Sequence, residues 1–142
     1  MIGVLLKSIF KPSPADRAFK KCMAASKELG TAAIMFHETF KMVGIDLQPD
    51  ESALDELGRI MSSSSEAKQT VEGVSVFLGC IVTEQLEGTW QRSESSYKIT
   101  GVGPFRNTVE LSTHILTPLT GQPSQTPRTV YETIRDRVSR NA

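Results

Sequence analysis

Apolar residues recur at helical spacing through most of the first ninety positions and at strand spacing after Gly88. Ala15, Ala18, Phe19, Cys22, Ala25, Ser26 and Leu29 fall on one helical stripe, with Lys20, Lys21 and Lys27 on the other side. Ser13, Pro14 and Asp16 make a good start for that helix: a capping hydroxyl, a proline suited to the first turn and a carboxylate for the reciprocal cap. Gly30 is the expected stop. Thr31 then caps a second helix whose stripe is Ala33, Phe36, His37, Phe40 and Val43, ending at Gly44; one kinked helix is the alternative, since an interior Gly costs only ~1 kcal/mol. Within 45–65 a loop, a short helix and a second loop are expected. Leu54, Leu57 and Met61 face inward there, and Ser52 and Asp55 form the capping pair.

The longest apolar segment is VSVFLGCIVTEQLEGTW, Val74 to Trp90. Ala67, Val71, Val74, Leu78, Ile81 and Val82 give it a helical stripe, Val76 and Cys80 lie opposite, and Phe77 lies between. The spacing predicts one helix from Glu66 to Leu86, capped by the serine run 62–65 and apolar nearly all round in its second half. Such a helix is buried on several sides. A strand over 74–82 is the rival reading, because Val and Ile favour sheets. Beyond Gly88, Thr89–Arg92 and Tyr97–Thr100 read as a hairpin, GVGPF as a bend, and Thr108–Leu116 as a third strand alternating Val109, Leu111 and Ile115. TPLTGQPSQTP, with three prolines, reads as a loop. Pro127–Arg140 reads as a final helix with Val130, Tyr131, Ile134 and Val138 on one narrow apolar face. The expected fold is therefore α+β. N-terminal helices and a long buried central helix pack on a small antiparallel sheet, and an amphipathic helix closes the chain. All 142 residues form one globular domain, residues 1–12 being an N-terminal arm.

Hydrophobic content of 39% and charged content of 23% are ordinary for a water-soluble domain, and aromatics at 6% leave the core to aliphatic side chains and Met. Sixteen basic and sixteen acidic residues give a net charge of zero, which supplies no general attraction to nucleic acid or membrane. The charges are nonetheless segregated. Residues 1–41 carry seven basic and three acidic groups, net +4; residues 42–87 carry two and nine, net −7; residues 88–142 carry seven and four, net +3. Either the acidic middle folds against the basic flanks, or the surface is dipolar and orients a partner. The apolar stretch Ile2–Leu6 stops at Lys7 and has no flanks of a leader peptide, so a short strand or an amphipathic arm is expected, and with it a cytoplasmic location. No stretch reaches the ~18 apolar residues of a membrane span. Cys22 and Cys80 are too few for a disulfide framework or a zinc site and read as small hydrophobes in a reducing compartment.

Motifs for chemistry are missing. No phosphate loop, GxSxG or HExxH occurs, and His37 and His114 have no ligand-like companions at a defined offset. No catalytic, cofactor-binding or metal-binding residues are assigned, and no cofactor is expected. The acidic group Asp50, Glu51, Asp55 and Glu56 lacks the oxygen spacing of an EF-hand and suits the positive end of a helix dipole. Arg128, Arg135, Arg137 and Arg140 suit a solvated helix face pairing with Glu132 and Asp136. Both charged groups are also the candidate contact surfaces for a partner. Trp90 either packs its ring on the end of the long helix, its indole N–H finding a partner, or lines a groove.

Phe77-Leu78-Gly79 and Leu86-x-Gly88-x-Trp90 resemble the signature of a group of small bacterial domains of unknown function, roughly Leu-Gly-x-Tyr-Leu-Gly-Glu, apolar residues, then Leu-Gly-Gly-x-Trp. Pro104-Phe105 resembles that group's Pro-Phe bend, and TVYETIRDRV its closing helix. Ser75, Cys80 and Glu87 depart from the pattern at the first glycine, the acidic residue and the first of the paired glycines. The resemblance implies an α+β fold and no known reaction; an activity carried by that acid in relatives would be missing here. Gly79, lacking a Cβ, is expected to let a neighbouring element approach the long helix closely. The functional expectation is a non-enzymatic protein-interaction or regulatory domain of immunity or accessory type, whose partner is another protein rather than nucleic acid or membrane. The alternative is a small-molecule-binding domain or an enzyme with a pocket beside Trp90, where Gly79 and Phe105 would contribute.

Overall fold

The computed structural model describes residues 12–63 and 67–140, and the fold is α+β. Helices α1 (Pro14–Ala25) and α2 (Lys27–Lys41) form a hairpin. A 3₁₀ turn (Glu51–Ala53) leads into α3 (Leu54–Ser63), and α4 (Ala67–Gln85) follows. Strands β1 (Thr89–Ser93), β2 (Ser96–Val102) and β3 (Asn107–Glu110) form an antiparallel sheet with β2 in the centre. A π-helical turn (Leu111–Leu116) runs into α5 (Thr117–Thr120), and α6 (Pro127–Ser139) closes the molecule. The N-terminal arm, apart from Pro12, and the part of the serine run expected to cap α4 lie outside the described residues. Ser62 and Ser63 belong to α3 and bond back to the carbonyls of Gly58 and Arg59.

The expected central helix is the hub of the fold. Every residue from Val74 to Thr83 is buried, and α4 touches α1, α2, α3, β2, the π-helical turn, α5 and α6. Burial on all sides would strand the hydroxyls of Ser75 and Thr83, so each donates to the carbonyl three residues back, Glu72 and Cys80. The sheet covers one side of α4 through Trp90, Ile99, Val102 and Val109, all buried, with Trp90 opposite Ile99 and Ile99 opposite Val109 in the ladder.

Three expectations need correction. The first break is at Ser26, not Gly30. Ser26 is extended (φ −165°, ψ 133°); its N–H donates to Cys22 O to close α1, and its Oγ accepts from Leu29 N to open α2. Thr31 is therefore interior to α2. Gly30 is needed for proximity instead, because a Cβ there would lie 2.5 Å from Met23 Cγ. The third strand also ends early, at Glu110. Leu111, Ile115 and Leu119 are buried at a spacing of four, so the segment turns into helix and presents one face to the core. The alternation of Val109, Leu111 and Ile115 fits both periods over so short a stretch. Asp50 rather than Ser52 caps the acidic segment, accepting from the Ser52 N–H at 2.9 Å and from its hydroxyl.

Candidate functional site

Two aromatic side chains seat on α4 where it has no Cβ. A Cβ on Gly79 would lie 2.3 Å from the Trp90 ring, and one on Gly73 would lie 2.4 Å from Phe36. Trp90 is delivered by the turn after α4: Glu87 and Gly88 both have positive φ (66° and 123°), and Gly103 N donates to Leu86 O to pin the sheet there. The ring is 2% exposed, and its indole N–H, expected to find a partner, has none. Gly79 thus has the close-approach role expected of it, and Trp90 is its neighbour. Phe105 lies on the β2–β3 turn, where Arg106 takes a φ of 55°, and is 48% exposed.

The charged groups singled out from sequence lie against each other. Arg128 Nε donates to Asp55 Oδ1 at 2.8 Å, and Arg135 Nη1 to Glu51 Oε1 at 3.2 Å, tying α6 to the segment that opens α3. The hydrogen bond from Arg128 lowers the Asp55 pKa and raises that of Arg128. Glu56 pairs with Arg59. Arg128 also lies 4.0 Å from Glu132, and Arg135 3.7 Å from Asp136. Arg137 donates to Thr108 O and approaches His114 Nε2 at 3.0 Å, while Arg140 bonds Asp136 O. The acidic middle and the basic end of the chain are thus folded together. Sequence reading missed a third pairing: Glu84, with a side chain only 7% exposed, receives Arg17 at 3.3 Å and Lys21 at 3.1 Å, both from α1. Lys21 therefore faces α4 rather than the solvent side to which its spacing assigned it.

Other polar groups sit in constrained places. His114 Nδ1 accepts from Glu110 N at 2.7 Å, at the entry to the π-helical turn. Burial first, and Arg137 second, lower its pKa. Cys22 and Cys80 are fully buried with their sulfurs 3.5 Å apart. The contact with Cys22 and then burial raise the Cys80 thiol well above its usual range. Among the described residues, no group of three or more His, Cys, Asp or Glu side chains is placed to hold a metal ion.

Open space flanks α2 on both sides. One groove, about 680 Å³, runs between α2 and the first half of α4. Its floor is apolar, with Met35, Phe36, Phe40, Val76 and Leu116, and among the described residues its charged side chains are Glu28 and Glu72, with no Lys or Arg. Phe36 packs against Phe40 with centroids 5.0 Å apart and the rings tilted by 59°, and both remain half-buried. Met35, Met42 and Val43 are 63, 85 and 70% exposed. Met42 and Val43 follow the last residue of α2, in the turn to Gly44, and neither lines the groove. The stripe expected to be core is therefore split: Ala33 and His37 are buried, Phe36 and Phe40 are half-buried, and Val43 is out in solvent. The second cleft, about 690 Å³, lies between α1 and the other flank of α2, and its lining includes Pro12, the first described residue. His37 forms part of it, buried between the Phe19 and Phe77 rings. Its Nε2 is 3.3 Å from Asp46 Oδ1, yet neither ring nitrogen makes a hydrogen bond.

No protein-family model, no curated protein and no solved structure matches the chain. Among the described residues, no helix is long and apolar enough to cross a membrane.

Proposed function

We propose that the chain is a non-enzymatic, cytoplasmic protein-interaction domain whose recognition surface is the α2–α4 groove. The observation that carries this is the exposure of Met35 beside the half-buried Phe36 and Phe40, all three on α2 and all lining the groove. Scattered apolar residues on a surface are ordinary, but large apolar side chains of one helix lining an open groove suit the apolar anchors of another helix. Methionine adapts its shape to such partners at little strain. Among the described residues the rim carries Glu28 and Glu72 without an opposing cation, so the fitting partner is an amphipathic helix with basic flanks. The charged residues at 50–56 and on α6 are a weaker choice, because several already satisfy one another within the chain. A pocket beside Trp90 draws no support from a ring packed onto Gly79. The resemblance to the small bacterial domains adds no chemistry to this reading.

Titration with a basic amphipathic helical peptide, followed through the methionine methyl resonances, tests it. Met35 is expected to shift and Met23 to stay, with no response to an acidic amphipathic control. Equal response to both peptides, or none at Met35, would remove the groove as the recognition surface.

A further inference from the structure

We propose that His114 and Arg137 together form a binding site for a small oxyanion, a carboxylate or a phosphate. The site lies where the π-helical turn meets α6, apart from the residues that line the partner groove, and does not depend on that groove. It follows from the protonation of one imidazole. His114 Nδ1 accepts the backbone N–H of Glu110 at 2.7 Å, so that nitrogen carries no proton. The ring is therefore neutral, and its single N–H is on Nε2. Nε2 faces Arg137 Nη1 at 3.0 Å, and a guanidinium has donors only. Two donors thus stand against each other at hydrogen-bond distance, and among the described residues neither has an acceptor.

Three further observations fit an anion as the missing acceptor. First, the pair is preorganised. Arg137 Nη2 donates to Thr108 O at 3.1 Å and the Glu110 N–H fixes the imidazole, so little ordering is left for a ligand to impose. Second, the local field is positive. Arg128 and Arg135 on the same helix are paired with Asp55 and Glu51, whereas among the described residues no carboxylate forms an ion pair with Arg137. The Glu110 carboxylate also acts on the His114 ring, but Arg137 outweighs it there. Third, both side chains are half-buried, so an ion from solution can reach them while part of the surrounding water is excluded. A carboxylate or phosphate sets two oxygens side by side against a two-pronged donor, and here His114 and Arg137 supply one prong each.

The test titrates the full chain with sodium phosphate and, separately, with sodium acetate, at constant ionic strength and constant, slightly alkaline pH, read through the ring protons of the two histidines. His114 is expected to shift saturably with at least one anion while His37 stays, and the two arms separate phosphate from carboxylate as the fitting ion. Arg137→Gln is expected to abolish the shift. Arg137→Lys, which keeps the charge and the aliphatic stem but loses the planar fork, is expected to weaken binding about tenfold. Unchanged Trp90 emission reports an intact fold in each variant, and Arg137→Lys carries the comparison if Arg137→Gln does not fold. A His114 shift that only grows in proportion to either salt, an equal response at His37, or full affinity in either variant would overturn the proposal.

Discussion

Gly79 is the residue whose replacement should be felt most for its size. Adding one methyl would place it 2.3 Å from a ring that is itself enclosed by the sheet, so the ring, the strand or the helix must move. Gly79→Ala is expected to lower stability by about 1–3 kcal/mol and to alter the emission of Trp90, read by thermal unfolding and fluorescence. Unchanged values would show that the ring has room to yield. The close approach was legible in the sequence as a glycine inside an apolar helix followed by a Gly-x-Trp turn. The unbonded indole was not, because hydrogen-bond partners are set by tertiary neighbours rather than by spacing. At Cys22 and Cys80 the sequence places two apolar-stripe thiols 58 positions apart, and only the packing of α1 on α4 brings the sulfurs to 3.5 Å. Both being inaccessible and Cys80 held as the thiol, neither should react with an alkylating reagent until the protein unfolds. Rapid native-state labelling would contradict that placement.

Among the elements, α4 was readable because ten buried residues in a row demand apolar side chains all round, and its helical period persists from Val71 to Val82. The α1–α2 break was misplaced by four residues because Gly30 has the composition of a helix stop. Ser26 serves both helix ends, and its hydroxyl also accepts from Tyr97 at 3.0 Å across 71 residues, a contact no local pattern displays. The clasp of Glu84 makes a directional prediction about how α1 is held to α4. Its cations are 48 and 41% exposed and lose little on release, whereas the carboxylate is nearly enclosed. Glu84→Gln should therefore cost only about 1 kcal/mol, while removing both Arg17 and Lys21 should cost about 2–3 kcal/mol by leaving an enclosed charge unpaired. Denaturant unfolding of the two variants gives the comparison, and the reverse order would contradict it. The π-helical turn predicts a pH dependence. His114 has a lower pKa in the folded protein than in the unfolded chain, so the unfolded chain binds the proton more readily. The stability contributed by neutral His114 is complete above about pH 6.5 and is lost as pH falls through the folded value. His114→Gln should flatten that part of the stability profile, and an identical profile would exclude this origin.

For the whole molecule, the separation of charge along the sequence resolves into contacts between α6 and the segment opening α3 and between α1 and α4, which leaves fewer of those charges free to face a partner. The surface that remains apolar is on α2, where an expected core stripe of five residues is only partly covered. Spacing could identify that stripe but not its width, since the arc a helix buries depends on how many neighbours reach it. The central claim is that recognition belongs to this apolar face and not to the arginine-bearing helix. It is tested most directly by binding isotherms of one basic amphipathic helix to the unsubstituted chain, to Met35→Glu and to Arg135→Glu. Met35→Glu is expected to weaken binding about tenfold or more, equivalent to about 1.4 kcal/mol, and Arg135→Glu to leave it unchanged. Loss of binding in Arg135→Glu with full affinity in Met35→Glu would contradict the account.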